Sequence, residues 1–107
     1  QAWDMLQTIY AGERVFFSTN NRFCNPTGTG APPFCSTTTT WGAIFMDNPG
    51  TTTTTYTFSG VTATTFTATA TRSGGSLCNN ATMTINQNRT RSFVVATTNW
   101  ANCPMPL

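Results

Sequence analysis

Apolar residues in the first twenty positions recur at helical spacing. At 100° per residue, Ala2, Trp3, Met5, Leu6, Ile9, Tyr10, Phe16 and Phe17 fall within an arc of about 160°. Asp4, Gln7, Thr8, Arg14 and Ser18 occupy the other side. The pattern predicts a helix over residues 2–19, inside an N-terminal segment 1–21. Asn20 and Asn21 close that segment with residues that tolerate the left-handed conformation in which helices end. Beyond a Gly/Pro-rich stretch the period changes to two. Thr64–Thr71 alternates, with Thr65, Thr67, Thr69 and Thr71 one way and Phe66, Ala68 and Ala70 the other. Thr53–Ser59 sets Tyr56 and Phe58 on one face, and Thr82–Asn86 does the same with Met83 and Ile85. Trp41–Met46 reads as an apolar strand that stops at the turn Asp47-Asn48-Pro49-Gly50, and Phe93–Thr97 as the last strand. The expected organisation of 1–107 is one α+β domain with an antiparallel meander: a helix in 1–21, a Cys-closed loop over 22–40, the sheet over 41–98 and a tail over 99–107. The Thr runs 37–40 and 51–55 suit strands and their edges better than disorder, because β-branched Thr flanked by aromatics fits a pleated surface.

Glu13 breaks the helical pattern. It projects from the apolar arc beside Ile9, Phe16 and Phe17, where an unpaired carboxylate costs several kcal/mol or stays protonated. It needs an Arg, backbone N–H groups or a terminal amine, either within its own subunit or across an assembly interface. The arc reads first as the face that covers a sheet, and the alternative is that its width exceeds what one small sheet buries. Its aromatic edge, Trp3, Tyr10 and Phe17, suits a neighbouring subunit, so Trp3, Tyr10, Glu13 and Phe17 are the candidate interface residues.

Composition removes most chemistry. Among 107 residues there is no Lys and no His, and the acids are Asp4, Glu13 and Asp47. That excludes a His-based triad, a His-containing zinc site, a Schiff base and a P-loop lysine. No carboxylate pair, nucleophile motif or haem attachment spacing occurs. A net charge of +2 from five scattered Arg is too small to grip a phosphate backbone. No catalytic residue, cofactor, metal ion or nucleic-acid partner is expected, and the chain does not read as an enzyme. It holds no apolar run of transmembrane length. The start at Gln1, without an initiator Met, reads either as a processed one whose secretion signal was removed or as the start of a piece trimmed from a longer chain.

Four cysteines in such a chain point to an oxidising, extracellular compartment. Of three pairings, Cys24–Cys35 with Cys78–Cys103 leaves neither loop crossing the other, and each bridge is worth roughly 2–4 kcal/mol. Asn80 and Asn88 stand in glycosylation sequons, and the Thr clusters offer sites for O-linked sugar. Thr itself occupies 25 positions. Where Thr replaces Lys and Glu on strand faces, those faces can be buried between subunits, because a hydroxyl is far cheaper to desolvate than a charge. Sparse charge also removes a barrier to edge association.

Two stretches together resemble the type IV pilin and pseudopilin superfamily. YAGERVFFSTNNRF (Tyr10–Phe23) resembles the second half of the pilin helix, an aromatic-rich Glu-Arg segment leading into an Asn-containing turn. TTFTATATRSGGSLCNNATMTINQNRTRS (Thr64–Ser92) is similar to the pilin hairpin, an alternating strand, a Gly-containing turn and a Cys before a second strand. Cys103 resembles the cysteine closing the family's disulfide-bounded region. The resemblance implies a helix laid across a four-stranded antiparallel sheet. It also implies a non-catalytic role as subunit of an extracellular filament or secretion pseudopilus, self-associating into a homopolymer or joining other pilin-like subunits. The family's N-terminal apolar half-helix is missing, so the chain is either the headpiece of a longer minor pilin or type II secretion pseudopilin, or a headpiece-only subunit building a filament or tube through lateral contacts. Arg89 stands near the family's turn Gly. The alternative from another class is a monomeric secreted module whose Thr ladder binds carbohydrate or ice.

Overall fold

The computed structural model describes residues 2–30, 32–38, 40–50, 54–72 and 82–94. Helix α1 spans Ala2–Asn20. It ends as its sequence predicts: Asn21 is left-handed at φ 58°, and its N–H donates to the Phe17 carbonyl at 2.8 Å. Four strands follow, β1 Thr54–Ser59, β2 Thr67–Arg72, β3 Thr82–Asn86 and β4 Arg91–Val94. They form one antiparallel sheet in the order β1-β2-β3-β4. The protein is therefore α+β, one N-terminal helix packed on a four-stranded antiparallel meander, with a disulfide between Cys24 and Cys35.

Alternation decides which side of the sheet the helix covers. Phe58, Ala68, Ala70, Met83 and Ile85 are buried on the inner face, against Leu6, Ile9 and Phe16 of α1, which lies over β2 and β3. The two alanines sit mid-sheet, where short side chains let a helix backbone come close. Phe23 stacks on Phe17 and tilts against Phe66, both at 4.9 Å between ring centroids, closing one end of the core. Trp41 and Phe58 meet edge to face at 6.1 Å near the other strand edge.

Three expectations change. Trp41–Met46 is not a strand, and the sheet does not begin at 41. Trp41–Ile44 is a single 3-10 turn, closed by Phe45 in the left-handed region at φ 65° with its N–H on the Gly42 carbonyl. Trp41 and Ile44 are both buried and Gly42 is exposed, so the apolar residues repeat every three positions, which a six-residue run cannot distinguish from a strand. The strand expected from Thr64 begins at Thr67. The Thr62 hydroxyl accepts the N–H groups of Thr64 and Thr65, and the Thr65 hydroxyl donates to the Gly60 carbonyl at 2.7 Å, which folds both residues into a loop and takes Thr65 out of the ladder. The last strand starts at Arg91 instead of Phe93, because Asn86 Oδ1 accepts the N–H groups of Asn88 and Thr90 and tightens the turn. In that turn Arg89 takes the left-handed conformation, φ 60°, that a glycine would adopt freely.

The loop between the bridged cysteines is organised by Asn25, which has no accessible surface. Its amide donates to the Thr29 carbonyl at 2.8 Å, and its Oδ1 accepts both the N–H and the hydroxyl of Thr27. Asn25→Ala leaves these groups without their partner and lowers stability by about 2 kcal/mol. The check is a shift in the urea midpoint with an unchanged slope.

Candidate functional site

Glu13 is the polar residue that the helix delivers to the interior. It lies on the buried face of α1 between Ile9 and Phe16, and none of its surface is exposed. Because the chain reverses at Asn21, the backbone of Cys24 returns beside it, and the Cys24 N–H donates to Oε1 at 3.0 Å. Oε2 has no hydrogen-bond partner. A carboxylate oxygen lies within 4.8 Å of both Cys24 Sγ and Cys35 Sγ. Those sulfurs are bonded to each other, so they do not act as thiolate ligands for a metal in this state. Burial pushes the Glu13 carboxyl up from 4.5 to about 8, against the lowering effect of the Cys24 N–H and the Arg22 charge. Of the alternatives for Glu13, the partner is a backbone N–H of its own chain. Its place inside leaves it no surface to offer a neighbour.

Trp3, Tyr10 and Phe17 are half-buried and pack against the core, so only part of that aromatic edge is open. The Arg91 guanidinium covers Trp3, 4.8 Å from its ring centroid. Asn88 is exposed in the β3–β4 turn. Cys78, Cys103 and Asn80 lie outside the described residues, and so does their pairing or modification.

Three surfaces remain. Cys35 lines a groove of about 520 Å³ together with Arg22, Gly28, Phe34, Ser36, Thr37 and Thr40. On the far side of α1, Val15 and Phe45 are exposed large apolar residues, Phe45 at 68%, and line a shallow pocket with Thr8, Ala11 and Ile44. Sequence reasoning missed this patch, although Val15 standing on the polar side of the helix was its signal. The third is the outer face of the sheet. Register places Thr57, Thr69, Thr84 and Ser92 in one row across all four strands, flanked by Thr55–Thr71–Thr82 and Ser59–Thr67–Asn86. No charged residue stands at these outward positions. Hydroxyls within a row can bond each other, as Thr84 and Ser92 do at 2.6 Å.

No family model, curated protein or solved structure matches this chain.

Proposed function

We propose that the chain is a non-catalytic structural subunit of an extracellular pilin-like filament or tube that assembles through contacts between its globular domains. The observation that carries this reading is the outer sheet face, where one uncharged row of hydroxyl side chains crosses all four strands and two further rows of hydroxyl and amide side chains cross β1–β3. Such a face loses little on desolvation, and it lacks the lysines that usually keep sheet proteins apart. The Val15–Phe45 patch on the far side of α1 gives the subunit a second, apolar contact surface, so two different surfaces can meet in head-to-tail fashion and propagate. The helix-on-meander fold agrees with the resemblance to pilins drawn from Tyr10–Phe23 and Thr64–Ser92. Extracellular location belongs to this same reading, and the headpiece of a minor pilin or type II secretion pseudopilin is its alternative.

The test is electron microscopy with sedimentation velocity. Wild-type protein polymerises with rising concentration and tolerates molar salt, while Phe45→Ser and Thr69→Glu raise the critical concentration at least tenfold without changing the circular dichroism spectrum. A chain that stays monomeric at millimolar concentration would sink the proposal.

The hydroxyl rows also favour a second reading, a carbohydrate-binding module. Strands about 4.8 Å apart and outward residues about 6.7 Å apart give a grid of donors and acceptors. Adjacent strands rotate by about 20–25°, so the grid suits a flexible glycan better than a rigid ice lattice. Monomers that bind glycan arrays through this face would bring that reading forward.

A further inference from the structure

The Cys24–Cys35 bridge is built asymmetrically. Cys24 has no accessible surface, whereas Cys35 retains 8% and lines the groove with Arg22 and Phe34. A thiolate arriving from solvent meets Cys35 Sγ, and the sulfur that must leave is then Cys24 Sγ. A thiolate released there would be a buried charge without solvent. Beside it stands Glu13, fully buried, with one oxygen unpartnered and a carboxyl oxygen within 4.8 Å of both sulfurs.

We propose that the Cys24–Cys35 disulfide is a thiol-exchange site and that Glu13 is its internal proton donor. A small thiolate carrying a carboxylate enters the Cys35 groove, where Arg22 supplies the positive charge, and attacks Cys35 Sγ. The S–S bond breaks, its electron pair goes to Cys24 Sγ, and the Glu13 carboxylic acid protonates that sulfur. The products are a mixed disulfide at Cys35, a neutral Cys24 thiol and a Glu13 carboxylate. The negative charge thus comes to rest where the Cys24 N–H already donates and the Arg22 charge already acts. A second thiol of the reductant then attacks the mixed disulfide and releases Cys35 as a thiolate, which water in the groove protonates. The reductant is oxidised to its disulfide, and the chain gains two electrons and one proton; a second proton enters when solvent reprotonates the Glu13 carboxylate.

The protonated form that this step needs is the one burial favours, since the Glu13 carboxyl is pushed up to about 8. Of the titratable groups on the surrounding elements (Tyr10 and Arg14 on α1, Arg22 in the loop, Tyr56 on β1, Arg91 on β4), Arg22 is the charged one that acts on it.

The experiment follows reduction of intact protein by dithiothreitol between pH 5 and 10, with acid quench, alkylation and peptide mapping that separates this bridge from Cys78 and Cys103. Rate constants are expressed per reagent thiolate. The wild type is expected to react about 10²-fold faster at pH 6–7 than at pH 10, with an inflection near the Glu13 pKa. Glu13→Gln is expected to be slow and flat throughout, and glutathione to be trapped on Cys35. A wild-type profile without decline above pH 8 overturns the proposal even if the variant does not fold. Equal profiles for wild type and a folded Glu13→Gln, or glutathione on Cys24, overturn it as well. Exchange through global unfolding has the opposite signature, because it accelerates as pH rises and the fold weakens.

Discussion

Folding stability falls by about 4–5 kcal/mol between pH 4.5 and pH 8 and then levels off, the size expected when a carboxyl of ordinary value 4.5 is held at about 8 in the folded chain. The folded protein binds the Glu13 proton more tightly than the unfolded chain does. The full contribution is therefore present below pH 4.5, and each pH unit above it removes about 1.4 kcal/mol until the folded group also ionises. This runs against the usual acid lability of proteins, whose native carboxylates are paired and ionised. Asp4 and Asp47, the other two acids, are both exposed. Urea unfolding across pH 4.5–9 measures the slope. Glu13→Gln retains an oxygen for the Cys24 N–H and cannot ionise, so its curve is flat and it exceeds the wild type at pH 8. A flat wild-type curve would show instead that water or a cation reaches Oε2 in solution.

Gly12→Ala destabilises the protein by about 3 kcal/mol, at the upper end for overpacking, although the same change in an exposed helix gains up to about 1 kcal/mol. Gly12 sits mid-helix, and a Cβ there would collide with the carbonyl oxygen of Ile44 while standing 3.0 Å from the Ile44 Cβ. The obstacle is mostly backbone, held by the 3-10 turn whose Trp41 and Ile44 are both buried. It cannot rotate aside as a side chain would. Relief requires the whole turn to shift away from α1, which loosens Ile44 and with it Phe45. Thermal unfolding at pH 5 is the measurement, since Glu13 is fully protonated there in the folded state. An unchanged midpoint would mean that Trp41–Ile44 does not lie against the helix.

Helix, meander and the identity of inward residues were legible in the sequence because each depends on local periodicity. The period of 3.6 set Leu6, Ile9 and Phe16 inward, and the period of two did so for Ala68, Ala70, Met83 and Ile85. Asn21 carried its own signal in its tolerance of positive φ. What escaped depends on partners distant in sequence. Alternation shows that Thr57, Thr69 and Thr84 face outward from their strands, but only register shows that they stand in one row. A run such as Trp41–Met46 has too few residues to fix a period, so a 3-10 turn passed for a strand. Glu13 was recognisable as a residue in need of a partner. That the partner is the Cys24 N–H, and that both sulfurs lie within 4.8 Å, follows from the chain reversal at Asn21, which spacing does not encode.

The interior placement of that acid divides the molecule's ionisation in two. With Glu13 protonated, five arginines face two aspartates for a formal charge of +3, and with it ionised the charge is +2. Lacking histidine and lysine, the described exterior carries no side chain of a type that ordinarily titrates between about pH 5 and 9. Among the described residues, the response to acidity over that range therefore falls to Glu13. Its proton sits in the interior, so acidity acts on this protein from within, through the strength of its fold, and in the filament we propose it leaves the contacts between surfaces to hydroxyls and apolar groups.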